Sequence, residues 1–382
     1  MRKQKLINEY ASSAAALKSK LLDNVFLFEE AGSAFESAFR ELLSKLSASK
    51  VLVDSGIPCE KLAAKAAFDS CGAELVYFTD FSPNPRFEEI NRGAELFNET
   101  KADVIIGIGG GSAIDTSKCI RHFTQKNVPL IAMPTTAGTG SEATKFAVYY
   151  KDGVKQSLEA ESVLPDYVVL CGGFLKSLPI YQRKCTFLDA YCQACESAFG
   201  RRRTGESLDV AFTVIKAMSL IKDFYFEKFD SFDPEGSVSL NTYALLCSYC
   251  SGRSINYTRT AAPHAMSYKL SSMKAVPHGH AVALCFGPNF KKLADHYCVP
   301  ESPDCDIAEI LTRIADISFK VDPSHFTAKF RNYLKSIGIP GTPVSEEEAD
   351  VLASSVNAKR LANNPLVYDR DELRSMYLEI GR

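Results

Sequence analysis

The sequence predicts an α/β nucleotide-binding domain built on a parallel, Rossmann-like sheet, followed by an all-helical domain. Three observations carry this expectation. Short β-rich runs alternate with helical stretches from about Val51 to Val169, the pattern of a parallel sheet covered by helices on both faces. A buried apolar run leads straight into a glycine-rich turn. After Pro179 apolar residues recur at helical spacing with few strand signals. The expected domains are residues 1–177, α/β and dinucleotide-binding, and residues 178–382, helical and metal-binding.

The elements follow in order. Lys50–Asp54 (KVLVD) reads as a strand and Glu60–Ser70 as an Ala-rich helical segment. Glu74–Phe78 (ELVYF) is the next strand, and Phe87–Asn98 an amphipathic helix. Val104–Ile108 (VIIGI) and Leu130–Met133 (LIAM) are buried strands, with Ala113–Ile120 a helix between them. In the second half, Ser207–Phe224, Ser239–Cys250, Ile307–Ile317, Ser324–Ser336 and Ser345–Val356 read as helices.

The chain has 382 residues, 46% of them hydrophobic and 24% charged, enough for two cores, and a formal net charge of −2. That balance gives no field directed at nucleic acid or a membrane, and no apolar run approaches the roughly 20 residues that span a bilayer. The start, Met1–Lys20, lacks the unbroken apolar stretch of a secretory signal, so the expectation is cytoplasmic. Twelve cysteines include two CxxC pairs, Cys192/Cys195 and Cys247/Cys250. Both lie in helix-like stretches without zinc-ribbon knuckles, so they read as buried small apolar residues.

Two loops suggest a phosphate-bearing ligand. Gly109-Gly110-Gly111-Ser112 connects the VIIGI strand to a helix, bringing unpaired N–H groups and the positive helix end to one point. The turn is neither GxGxxG nor a Walker loop, and such a turn alone also serves structural ends. Pro134–Glu142 (PTTAGTGSE) follows the next strand and offers Thr135, Thr136, Thr139 and Ser141 with two glycines. Two polar loops at the carboxyl ends of two strands fit one extended ligand such as a dinucleotide. Asp115 and Lys118 follow on the first helical turns.

A second set of residues has the chemistry of metal ligands. Asp189 and Gln193 are spaced i, i+4 on one helix face. His264 and His278 lie fourteen positions apart, and with His280 they account for three of the six histidines. A carboxylate, an amide oxygen and two imidazoles suit Fe(II), Zn(II) or a similar ion, although paired histidines are also commonly structural.

Together these motifs resemble the iron-containing (group III) alcohol dehydrogenase family across nearly the whole chain. Gly107–Lys118 (GIGGGSAIDTSK) resembles its nucleotide turn, and Met133–Thr144 (MPTTAGTGSEAT) its second nucleotide loop. Phe187–Ser197 (FLDAYCQACES) and Ala262–Leu284 are similar to its metal-binding helices, and Val356–Pro365 (VNAKRLANNP) to its closing segment. The resemblance implies a dehydroquinate synthase-like fold, NAD or NADP as cofactor, a divalent metal (Fe²⁺ or Zn²⁺), a small aldehyde or alcohol as substrate, and a homo-oligomer such as a dimer. It implies that Gly109, Gly110, Gly111 and Ser112 hold the pyrophosphate, with Asp115 beside them. Thr135, Thr136, Thr139 and Ser141 would line the ribose and nicotinamide, while Asn84 and Lys155 match further family positions. Asp189, His264 and His278 match three metal ligands. Gln193 stands where the family usually has histidine, and Tyr268 where it has a histidine near the nicotinamide, so Tyr268 reads either as the proton relay or as a core tyrosine. The position where an acidic residue would reject a 2′-phosphate is Gly56, which permits NADP; Asp54, two residues earlier, would take that role if the strand end is shifted.

Within the family, Thr79–Phe97, Ser162–Leu170 and the DAYCQACES and PHGHAVAL segments resemble the phosphonoacetaldehyde reductases, which form 2-hydroxyethylphosphonate. A phosphonate dianion needs cationic or N–H donors, and Arg253, Asn256 and Arg259, with Lys269, are the candidates near His264. Arg201–Arg203 reads as a surface run.

Overall fold

The computed structural model describes residues 2–56, 61, 64–226 and 237–381. They form two compact units, Met1–Leu178 with Asp230–Gly252, and Pro179–Phe229 with Arg253–Arg382.

The first unit contains strands β1 (Val25–Phe28), β2 (Lys50–Ser55), β3 (Glu74–Phe78), β4 (Val104–Gly109), β5 (Leu130–Pro134), β6 (Phe146–Lys151), β7 (Val154–Glu159) and β8 (Tyr167–Cys171). Its helices include α1 (Arg2–Lys18), α2 (Ser33–Lys45), α3 (Lys65–Asp69), α4 (Phe87–Thr100) and α5 (Gly111–Thr124). Six strands make one sheet in the order β1-β8-β5-β4-β2-β3, every pair parallel. Val51–Val53 and Val104–Ile106 are fully buried, which is why they read as unbroken apolar runs rather than as alternating ones. Between β2 and β4 the strand order reverses, the point where open α/β sheets bind ligands. Of the helical segment expected over 60–70, Lys65–Asp69 is helical, and residues 60, 62 and 63 lie outside the described residues.

Residues 237–252, expected with the helical domain, cluster with the first unit. The described contacts show why. Tyr10 stacks on Tyr243 at 4.4 Å, the Thr242 hydroxyl donates to Glu29 at 2.7 Å, and the Tyr243 hydroxyl donates to Ser13.

After β8 no strand occurs among the described residues. The helices are α6 (Ile180–Phe199), α7 (Gly205–Ile221), α8 (Leu240–Thr258), α9 (Ala262–Lys274), α10 (His278–Tyr297), α11 (Cys305–Phe319), α12 (Pro323–Ser336), α13 (Glu346–Ser355), α14 (Ala358–Leu361) and α15 (Arg370–Glu379). The core of the second unit is aromatic: Phe286, Phe290, Phe326 and Phe330 pack as stacked and edge-on rings. Both CxxC pairs lie buried inside α6 and α8 as free thiols. No helix among the described residues is long and apolar enough to cross a membrane.

A buried polar cluster ties α5 to the loop after β5. The Lys118 ammonium donates to Ser141 O at 2.7 Å, Phe146 O at 2.6 Å and Thr144 Oγ1 at 3.2 Å. Burial lowers its pKa to about 8, although Asp115 and Glu142 oppose that shift. Glu142 is buried with Oε1 lacking a hydrogen-bond partner, and burial pushes its carboxyl up to about 7 against the pull of Lys118. The folded state therefore favours protonated Glu142. Its contribution is intact below the ordinary value of 4.5 and is lost as pH rises through about 7. Glu142→Gln, neutral throughout, is expected to be more stable than the parent by about 3 kcal/mol at pH 8 and by under ~1 kcal/mol at pH 5. Denaturant unfolding at both pH values measures this; an equal gap at the two would contradict it.

Candidate functional site

In the first unit the two glycine loops lie side by side because their strands do: Gly109 pairs with Pro134 in register, and the Thr135 N–H donates to Gly109 O at 2.8 Å. Gly110 is the N-cap of α5, so the free N–H groups of the first helical turn point out of this turn. A Cβ on Gly111 would lie 2.8 Å from Thr139 Oγ1, so the close fit of the two loops requires glycine there. At Gly140 (φ +61°) a Cβ would meet the Gly252 backbone at 2.6 Å, which fixes the second loop against α8. The Ser112 hydroxyl donates to Pro83 O, and the Tyr150 N–H to Pro85 O at 2.8 Å. Asn84, Ser112 and the β6–β7 hairpin that carries Lys155 are thereby gathered at one end of the sheet.

Asp115 and Ser141 face each other. The Ser141 hydroxyl donates to Asp115 Oδ1 at 2.5 Å, and the Val148 N–H to Asp115 Oδ2 at 3.0 Å. Both carboxylate oxygens are thus used inside the protein, holding the second loop and β6 to α5. Asp54 is fully buried, pairs in register with Gly107, and has neither carboxylate oxygen hydrogen-bonded. Burial raises its pKa well above the ordinary range. Strand β2 continues to Ser55, so Asp54 lies within the strand and Gly56 just beyond its tip.

The second unit brings Asp189, Gln193, His264 and His278 together. On α6, Asp189 and Gln193 share a buried face. Three nitrogens converge on Asp189 Oδ1: His264 Nε2 at 3.1 Å, Gln193 Nε2 at 3.3 Å and His278 Nε2 at 3.9 Å. One ligand atom each from Asp189, His264 and His278 lies within 4.8 Å of the others. Sequence reasoning missed the residue behind them. Glu196, fully buried, accepts from His264 Nδ1 at 2.6 Å and from the Ala261 N–H at 2.5 Å. Its signal was available, since 189, 193 and 196 form an i, i+4, i+7 polar stripe along a buried helix.

The electrostatics of this cluster call for a cation. Burial alone would lower the His264 pKa, but Glu196 and Asp189 outweigh it and raise the value to about 9. Burial opposes ionisation of Asp189 too, yet His278, His264 and Gln193 hold its pKa below the ordinary value. The protonated His264 ring thus lies between two buried carboxylates, Glu196 on Nδ1 and Asp189 on Nε2, with His278 adding positive charge beside Asp189. A divalent ion fits this donor set. Glu196 fixes which His264 nitrogen faces inward, as carboxylate partners of metal-bound histidines do. Ser267 serves His278 similarly, its hydroxyl oxygen 3.4 Å from Nδ1. The amide oxygen of Gln193 is a weaker donor than imidazole.

The other sequence candidates fall as follows. Tyr268 stacks on His278, with ring centres 5.5 Å apart and planes within 9°. Burial raises its pKa, with Arg360 opposing. His280 is turned into the fold, between the Tyr181 hydroxyl at 2.8 Å and Pro340 O at 2.9 Å. The Arg253 guanidinium lies 3.5 Å from Glu206 and 3.4 Å from the Tyr257 hydroxyl. Arg259 is exposed, with left-handed backbone at φ 67°, and Asn256 is half-buried on α8. Arg201 donates to Pro365 O at 2.8 Å, and the Arg202 N–H donates to Asn363.

Comparison with known proteins places these sites in a wider context. The chain matches the family model for iron-containing alcohol dehydrogenase over residues 29–171 and the model for the C-terminal part of the Fe-containing alcohol dehydrogenase family over residues 185–380. It is similar to the phosphonoacetaldehyde reductase of Streptomyces viridochromogenes, 26% identical over 73% of this chain and 76% of that protein. The sulfoacetaldehyde reductase of Bilophila wadsworthia is 27% identical over 81% of this chain and 85% of its own length. The solved structure of an alcohol dehydrogenase from Oenococcus oeni superposes with a TM-score of 0.81 at 20% identity, covering 94% of this chain and 98% of that one.

Because His264 must give up a proton to accept a metal, apparent divalent-metal affinity should rise with pH, about tenfold per unit, and level off near pH 9. Glu196→Gln should weaken that affinity by roughly 10–100-fold and flatten the pH dependence. Competition with a chelating dye across pH 6–9 reads both; an affinity independent of pH in the parent would refute a protonated His264.

Proposed function

The chain belongs to the iron-containing alcohol dehydrogenase family, and from that premise we propose that it reduces phosphonoacetaldehyde to 2-hydroxyethylphosphonate, using NADH or NADPH and a divalent metal. The observation that carries the chemistry is the convergence of His264, His278 and Gln193 on Asp189, with Glu196 behind them. What supports the substrate is similarity over 73% of the chain to a phosphonoacetaldehyde reductase, and over 81% to an enzyme of another short anionic aldehyde.

In this reading Asp189, Gln193, His264 and His278 would hold the metal, and Fe²⁺ or Zn²⁺ bound there supplies Lewis-acid polarisation of the aldehyde oxygen. The nicotinamide supplies the hydride. The residues of the chain do the rest. Gly109–Ser112 and the start of α5 present N–H donors to the pyrophosphate, and Thr135, Thr136 and Thr139 offer hydroxyls to the ribose and nicotinamide. Asp115, Ser141 and Lys118 keep the two loops in register. Asn84 and Lys155 serve the adenosine side. With Gly56 at the tip of β2 and Asp54 buried within it, NADPH is accepted as well as NADH. Glu196 and Ser267 hold the two imidazoles with their Nε2 atoms inward. The side chain of His278 is 34% exposed and that of Asp189 only 3%, so substrate approaches on the His278 side, where Tyr268 stacks. Burial keeps the Tyr268 hydroxyl protonated at neutral pH, ready to donate to the product oxygen.

The purified protein, loaded separately with Fe²⁺, Zn²⁺ or Mn²⁺, is assayed with phosphonoacetaldehyde and with acetaldehyde, following NADH or NADPH oxidation. We expect turnover that depends on the metal, with kcat/KM at least tenfold higher for phosphonoacetaldehyde. Equal efficiency on acetaldehyde would make it a general alcohol dehydrogenase. Tight NAD(P)H binding without turnover under every metal would make it a nucleotide-binding protein without catalysis.

A further inference from the structure

One segment of the closing motif lies beside the cluster without a part in the chemistry above. Arg360, on α14, places its guanidinium carbon 4.5 Å from the centre of the Tyr268 ring. That ring is itself stacked on His278. A permanent positive charge and the most accessible member of the metal cluster therefore both lie against one aromatic ring. Other cations of this part of the chain are paired, Lys274 with Glu348, Arg370 with Asp350, and Arg374 with Glu346 and Asp350, while Lys269 and Lys359 are exposed side chains. No carboxylate pairs with Arg360 among the described residues.

The segment is also held in place. Asn363 donates to Thr260 O at 3.1 Å, Asn364 accepts from the Ala262 N–H at 3.4 Å, and Asn364 donates to Leu366 O at 2.8 Å. Two of these bonds grip the start of α9, the helix that carries His264 and Tyr268. Arg360 is thus fixed to the same element as the cluster, so less ordering remains to be done when a ligand arrives.

We propose that Arg360 binds the anionic end of a short aldehyde, through paired N–H···O bonds, while the carbonyl is held on the His278 side of the cluster. It is the residue that selects anionic over neutral aldehydes. A planar guanidinium matches a phosphonate, sulfonate or carboxylate bidentately, and the Tyr268 face beneath it keeps the fork oriented through a cation–π contact. The inference rests on the reading above that this cluster is the reaction centre.

The test compares kcat/KM of the metal-loaded parent and of Arg360→Met on phosphonoacetaldehyde, succinic semialdehyde and propionaldehyde. It also measures 2-hydroxyethylphosphonate binding by calorimetry, metal content and melting temperature. The anionic-to-neutral ratio of kcat/KM should fall roughly 10–100-fold in the variant, as expected for losing a charged hydrogen-bonding partner. The fall should sit mainly in KM, and product affinity should drop by a similar factor with metal content and melting temperature kept. Arg360→Lys, which keeps the charge but not the fork, should fall between the two and serves if the Met variant does not fold. A ratio unchanged in Arg360→Met, or in Arg360→Lys if only that variant folds, overturns the role of Arg360, as does equal loss on charged and neutral aldehydes. A parent that prefers succinic semialdehyde overturns the phosphonate reading alone, and the role of Arg360 is then judged on that aldehyde. A parent with no preference for either anionic aldehyde overturns both.

Discussion

The chemistry of the second unit hangs on a single carboxylate oxygen. Asp189 Oδ1 receives two imidazoles and an amide in a region where Asp189, Gln193 and His264 are almost wholly buried. A bare carboxylate in such a place is costly, and a second one, Glu196, stands about two helical turns further on. Positive charge among these groups offsets that cost, and the protonated His264, with His278 beside Asp189, supplies part of it. A metal ion supplies more, and the imidazoles already have the orientation to receive it. Helix α6 makes this possible: Asp189, Gln193 and Glu196 fall on one stripe, among buried neighbours such as Leu188, Ala190, Cys192, Ala194 and Cys195.

The first unit solves a different problem with comparable means. Glycine at 111 lets the two loops approach each other, and glycine at 140 lets the second loop lie against the backbone of α8. Lys118, buried among backbone and hydroxyl oxygens, locks that spacing from beneath. Asp115 and Ser141 bond to each other, and further to Val148 and Lys118, which holds the two loops in place.

Much of this could be read from the residues. Strands β2, β4 and β5 were legible because they are buried on both faces and carry apolar runs bounded by turn residues, and the edge strand β3 by its Leu, Val, Tyr and Phe. β1 has only four residues, and β6–β7 form a half-exposed antiparallel hairpin whose Lys, Asp, Gln and Ser content hides it. Parallel neighbours far apart in sequence, such as β1 and β8, leave no local trace. At the site, Asp189, Gln193, His264 and His278 stood out by residue type and spacing. Glu196 did not, because a buried glutamate acting through a histidine resembles any other glutamate on a helix until the fold sets His264 against it. Arg360 was hidden for the same reason: nothing in VNAKRLANNP reveals that its guanidinium settles on an aromatic ring stacked against a histidine. Arg253 illustrates the converse, a cation close to His264 in sequence whose charge the fold directs to Glu206.

Anomalous diffraction from crystals grown with Fe²⁺ or Zn²⁺, recorded on both sides of the metal absorption edge, examines the central claim without recourse to turnover. The account predicts one strong peak bonded to Asp189, His264 and His278, with the Gln193 amide oxygen turned toward it and Glu196 still on the far nitrogen of His264. Side chains of these residues pointing apart, or a fully occupied peak elsewhere in the protein with none among them, would contradict it.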